Sequence, residues 1–275
     1  MNTGSIRKPV VAGLFYPGNS DELRSDLDRL FAQAGTPVRK GTVRGIIAPH
    51  AGYIYSGFTA ASGYARLGGA SYDSVVVVSP SHKEFFKGVS VYPGAAYQTP
   101  LGTVAIAENL RERLIQESSV VTASEVGHQK EHAIEVHLPF LQRALPAFRL
   151  LPLVIGDQSR DICFELGRAL GKVLHGENTL LVASTDLSHY YPSRVANRLD
   201  AVVVGDLQQF DEKCLMDDLD SGKAEACGGG PVVAVMTALR ALGARTMEVV
   251  HHCNSGDVTG DTSSVVGYVA AVAYA

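Results

Sequence analysis

The sequence predicts an α/β sandwich in which a central, mostly parallel or mixed sheet is flanked by helices. Three observations predict it. Short apolar runs rich in β-branched residues recur along the chain, stretches with helical spacing separate them, and each run closes on small or polar residues. In chain order, Ser20 to Ala32 has helical spacing, and Val43 to Ala48 is an apolar run that opens into Pro49-His50. Gly57 to Leu67 is again helical, and Ser74 to Val78 leads into Ser79-Pro80-Ser81-His82. Ile134 to Leu145 and Asp161 to Leu174 are helical stretches on either side of Leu150 to Ile155, which ends at Gly156-Asp157. Leu180 to Ala183 then delivers Ser184-Thr185-Asp186. The helical stretches Arg194 to Gln208 and Pro231 to Leu242 precede the strand Thr246 to Val250. A long last strand, Val265 to Tyr274, closes the chain within the sheet. Runs that are apolar without alternation read as strands covered on both faces, the habit of parallel sheets.

The 275 residues are 46% hydrophobic and 19% charged, an ordinary globular balance. A chain of this size buries most of its unfolded surface, and no linker divides it, so residues 1–275 read as a single domain. The net charge of -4, with no lysine or arginine cluster, argues against a nucleic-acid partner. Met1 to Val10 carries no apolar stretch of signal-peptide length, and no run reaches membrane-spanning length. Cys163, Cys214, Cys227 and Cys253 are scattered, unlike a disulfide framework. The expectation is a cytoplasmic protein without a membrane partner, in which a functional cysteine is a thiolate ligand or a nucleophile.

Ligands of open α/β sheets bind beyond the carboxyl ends of the strands, so the polar residues there are candidates by position. Two strand ends rhyme: Ala48-Pro49-His50-Ala51-Gly52-Tyr53 and Ser79-Pro80-Ser81-His82 each place a histidine just after a proline, which fixes the chain direction. A third strand end delivers Asp186 and His189. A fourth polar segment, His251-His252-Cys253-Asn254-Ser255-Gly256-Asp257, follows Thr246 to Val250. On this reading His50, His82, His189 and Cys253 converge on one edge. A lone histidine at a strand end is more often solvated or cap-like than a ligand, but three such ends in one chain point towards a metal. Imidazoles and a thiolate suit iron, copper or zinc, and Asp186, Glu131 and Glu135 are available to orient them.

The stretch His128 to His137 is dense in imidazole and carboxylate. His132 and Glu135 would share a helical face, either as part of an acid-rich helix start or as a wall of the pocket; a His-Glu-x-x-His motif is absent. Cys227 stands just before Gly228-Gly229-Gly230-Pro231. A helix N-terminus there lowers a thiol pKa and would suit a nucleophile or an anion, whereas the glycines alone would permit a tight turn and close packing. Tyr16 and Tyr55 supply aromatic groups near the proposed site.

These segments together resemble the Memo family, whose bacterial and archaeal members are called AmmeMemoRadiSam system protein B. They are Ala12 to Pro17, Ala48-Pro49-His50-Ala51-Gly52-Tyr53-Ile54-Tyr55-Ser56-Gly57, Pro80-Ser81-His82, Glu131-His132 to Phe140, Ser184 to His189 and Cys253 to Asp257. The resemblance runs in order over nearly the whole chain. It implies the sandwich fold of class III extradiol dioxygenases, with His50 and His82 as metal ligands and Cys253 where the dioxygenases place a glutamate. It implies His189 as the acid/base histidine, which we expect Asp186 to orient, and Tyr16 and Tyr55 as positions contacting a phosphotyrosine-like ligand. His132 and Glu135 are the further substrate-binding candidates. The expected cofactor is iron or copper, with zinc as a third choice, because a thiolate is softer than the carboxylate of a facial triad. The expected activity is redox or oxygenase-like chemistry on a small aromatic substrate. The rival expectations are a binding module for an anionic aromatic ligand or peptide, working beside a radical SAM enzyme and an AMMECR-type protein, and a cysteine hydrolase or transferase built on Cys227.

Overall fold

The computed structural model describes residues 4–37 and 40–275; Met1 to Thr3, part of the N-terminal stretch read above, lie outside the described residues. The chain runs through β1 (Ile6–Arg7), α1 (Ser20–Ala34), β2 (Val43–Ala48), α2 (Tyr53–Tyr64), β3 (Ser74–Pro80), β4 (Val89–Val91), β5 (Ala96–Thr99) and β6 (Gly102–Ala105). It continues through α3 (Glu108–Glu117), β7 (Val121–Ala123), α4 (His137–Ala144), β8 (Arg149–Ile155), α5 (Arg160–Val173), β9 (Thr179–Ser184) and β10 (His189–Tyr191). The last elements are α6 (Ser193–Gln209), α7 (Glu212–Asp220), α8 (Gly229–Ala241), β11 (Thr246–Asn254), α9 (Ser255–Thr259) and β12 (Val265–Tyr274).

The expected α/β sandwich is present. A nine-stranded sheet has the order β10-β12-β2-β9-β3-β8-β4-β7, with β11 added beside β12. Its centre, from β2 through β9 and β3 to β8, is parallel, whereas β12 and β4 join it antiparallel. On β3 every residue is buried, and alternate valines face opposite layers. Val76 and Val78 pack with Leu166, Val203 and Val233 of the α5, α6 and α8 layer. Val75 and Val77 pack with Leu23, Leu27, Tyr64 and Phe140 of α1, α2 and α4. Fully burying a valine or leucine contributes roughly 1.5–3 kcal/mol, so these runs secure the centre of the sheet.

Two features depart from the sequence reading. The stretch 128–136 is a series of turns, with α4 beginning only at His137. A small separate sheet, β1-β5-β6, binds the N-terminal segment beside that stretch. Among the described residues, no helix is long and apolar enough to cross a membrane.

Candidate metal centre

Three parallel strands set the site. His50 follows β2 by two residues, His82 follows β3 by two, and Ser184 ends β9. The third histidine arrives from the turns before α4: His50, His82 and His132 each bring a ring nitrogen within 4.8 Å of the other two. Their ring centroids lie 4.9–5.5 Å apart.

The hydrogen bonds behind the rings decide which nitrogen faces inwards. The buried Ser184 hydroxyl donates to the Ala133 carbonyl at 2.9 Å, so it can only accept from its other two partners. Those are His50 Nδ1 and His137 Nε2, each at 2.7 Å. Both nitrogens must therefore carry protons, which leaves His50 Nε2 bare. His137 Nδ1 then accepts from the Tyr64 hydroxyl at 3.0 Å. Glu131 treats the other two rings alike. Its Oε1 accepts from His82 Nδ1 at 2.9 Å and stands 3.2 Å from His132 Nδ1. The same carboxylate accepts the backbone amides of His82, His132 and Ala133. Burial alone would raise its pKa, but the bonds and charge of His82 and the proximity of His132 hold it at about 2. Each ring is thus oriented through Nδ1, the arrangement that carboxylates and hydroxyls give to metal-bound histidines.

Burial lowers the His50 pKa well below the usual range, and the neighbouring imidazoles push it further; His132 falls to about 4 for similar reasons. Neutral imidazole is the form that binds metals. Three imidazole nitrogens around one point fit a first-row divalent ion.

The cysteine beside this cluster is Cys227. Its Sγ lies 3.3 Å from His50 Nε2, and it accepts the Asp186 amide at 3.3 Å. Cys253 lies on β11, an edge strand separated from β2 by β12, where its Sγ meets Thr59 Oγ1 at 3.2 Å. Beside the expected His50 and His82 the structure brings His132, and Cys227 borders the three. Sheet order, which spacing in the sequence does not reveal, makes the difference. The expected low thiol pKa at the start of α8 is reversed, because burial and the Asp186 charge push the Cys227 thiol up.

Asp186 is fully buried, and burial raises its pKa to about 7 although the His50 and Ala51 amides oppose this. Its Oδ1 accepts the His50 amide at 2.9 Å. Asp186 fixes the His50 loop, whereas the His189 ring bonds the Leu187 carbonyl and its amide meets Glu225 Oε1 at 3.3 Å. His189 is half-buried, which lowers its pKa. Glu135 is fully buried, and Tyr16, which lines a surface cavity with Phe15, Tyr53 and Ile54, turns its hydroxyl inwards to it. The Tyr16 hydroxyl donates to Glu135 Oε1 at 2.6 Å, and the same carboxylate accepts the Val10 and Val11 amides and pairs with Arg7. Tyr55 is exposed on α2. Sequence reasoning missed Ser184 as the hydroxyl shared by two histidines; its place at the end of an apolar run was the only signal.

The Memo-like protein family model matches residues 7–272. A MEMO1 family protein of Methanothermobacter thermautotrophicus is 37% identical over 272 residues, covering 96% of this chain and 98% of that one. One from Methanosarcina mazei is 38% identical over 270 residues, covering 97% and 98%. One from Aquifex aeolicus is 38% identical over 265 residues, covering 96% and 97%. The crystal structure of an uncharacterized protein from Escherichia coli K12 aligns with a TM-score of 0.55 at 20% identity, covering 83% of this chain and 99% of that chain. That likeness is one of fold.

Proposed function

We propose that this chain, which belongs to the Memo-like protein family, binds one iron, copper or zinc ion on His50, His82 and His132, with Cys227 as a further donor on the His50 side. The observation that carries this reading is the common orientation of the rings. Ser184 and Glu131 occupy or face all three Nδ1 atoms, and the inward positions are left to a shared ligand. A bound ion of this kind supplies Lewis acidity and, for iron or copper, a redox centre for a small substrate. The chain's own part is to hold the His50 and His132 imidazoles neutral, to fix the His50 loop through Asp186, and to offer His189 as general acid or base. Phe15 packs its ring edge against His132 at 4.9 Å, which favours a flat aromatic substrate beside the ion. Action beside a radical SAM enzyme and an AMMECR-type protein belongs to the alternative reading, a binding module for an anionic aromatic ligand or peptide.

Elemental analysis of untagged, anaerobically purified protein tests it. His50→Ala and His132→Ala are expected to carry about one ion per chain fewer than wild type, Cys227→Ala to show a smaller deficit and Cys253→Ala none. A metal content in His132→Ala equal to that of wild type would reject this donor set. Absence of metal from wild-type protein after reconstitution would leave a metal-independent binding module.

A further inference from the structure

A second donor set lies away from the histidines, where α6 turns into α7. Asp206 occupies the last turn of α6, and Phe210 reverses the chain in the left-handed conformation, with φ 54°. Asp211 then caps α7 by accepting the amides of Lys213 and Cys214. Cys214 and Asp218 are four residues apart, hence neighbours on one face of α7. The reversal brings one donor atom from each of Asp206, Cys214 and Asp218 within 4.8 Å of the other two.

The second observation is the state of Asp206. Its side chain belongs to a residue only 4% exposed, and among the described residues its buried Oδ2 accepts from no N–H or O–H. The group facing this carboxylate is the Cys214 thiol, a weak donor. Buried carboxylate oxygens are ordinarily hydrogen-bonded, and one that lacks a proper donor marks the place of a water or an ion. The surroundings select a cation. The charges of Asp218 and Asp211 reach Asp206, whereas Lys223 Nζ meets Asp218 Oδ1 at 3.2 Å and leaves Asp218 Oδ2 on the Cys214 side. The bond to Asp206 and its charge push the Cys214 thiol up to about 11, so without a metal it is a poor nucleophile.

We propose that Asp206, Cys214 and Asp218 bind a zinc-type divalent cation that ties the end of α6 to α7. Two carboxylates and a thiolate suit zinc or cadmium better than calcium or magnesium, which prefer oxygen alone. Coordination displaces the thiol proton to solvent and gives Asp206 Oδ2 the partner it lacks. Ligand bonds of about 2.0–2.3 Å require the three donors to close by about 1 Å, a movement within reach of side chains at a helix corner.

The test uses the full chain carrying His50→Ala and Cys227→Ala, stripped with a chelator and titrated with cadmium. The expected result is about one cadmium per chain with an ultraviolet thiolate-to-cadmium charge-transfer band. Cys214→Ser in this background should abolish the band, and Asp206→Asn should weaken binding at least about tenfold. A band that is absent, or that persists with Cys214→Ser, would overturn the proposal; in the latter case the thiolate is another cysteine. Should the background fail to fold, wild-type chain titrated in parallel with Cys214→Ser should bind one cadmium more than the variant, and equal stoichiometry would overturn the site. Since the background lacks His50 and Cys227, its outcome is separate from that of the histidine centre.

Discussion

Glu135 is a fully buried carboxylate that gathers the N-terminal segment, accepting from Tyr16, Val10, Val11 and Arg7. Arg7 in turn donates to the carbonyls of His128 and Glu131, so the segment is tied to the turns that carry His132. Removing one partner of such a buried pair leaves the other charge without compensation. We expect Glu135→Ala to cost roughly 3–5 kcal/mol and Tyr16→Phe roughly 1.5–3 kcal/mol, read from urea unfolding. Losses below about 1 kcal/mol in both would show that the segment contributes little. The sequence offered both residues as candidates for ligand contact because a carboxylate and a phenol look alike whether they meet a ligand or each other. Burial, and the donors that come with it, separate the two cases.

At the scale of elements, the contact that positions Cys227 is the approach of the α8 start to the end of β9. A Cβ at Gly228 would stand 2.0 Å from the Ser184 carbonyl oxygen, so only glycine lets the two backbones meet. The Gly228 amide also donates to Thr185 Oγ1 at 3.0 Å. Gly228→Ala should push the start of α8 outwards, at a cost of roughly 1–3 kcal/mol or more, and withdraw Cys227 from His50. Thermal unfolding and metal content of the purified variant check this; unchanged stability and full metal would contradict the contact. The Gly-rich segment was visible in the sequence as either an anion-binding turn or a close-packing device, and the geometry supports the packing device. Spacing placed β2 and β12 at their observed limits, because both are continuous apolar runs. It missed β1, β5 and β6, which are short and take their place from a few backbone pairs.

For the whole molecule, the buried neutral histidines link stability to pH. His128 and His137 are fully enclosed, and burial lowers both to about 3. Unfolding releases each to an ordinary pKa near 6.5, so between these values the unfolded chain binds more protons than the folded one. The contribution of these two histidines is complete above about pH 6.5 and declines as the pH falls towards 3. At pH 5 each histidine should contribute a loss of roughly 2 kcal/mol relative to pH 7.5. Urea titrations at the two pH values, with chelator present, check the sign; equal stabilities would contradict it.

The sequence by itself determined the sandwich, its buried parallel centre, the family resemblance and the placing of His50 and His82 at strand ends. Those features rest on local patterns: apolar runs, helical spacing and proline at the strand exits. Only the tertiary structure decided that His132 joins the cluster, that Cys227 borders it, and that Ser184 and Glu131 orient the rings. Each of these depends on which strands are neighbours and on which loop crosses the sheet edge. Sheet order arises from packing between segments far apart in the chain, and spacing along the chain carries no record of it.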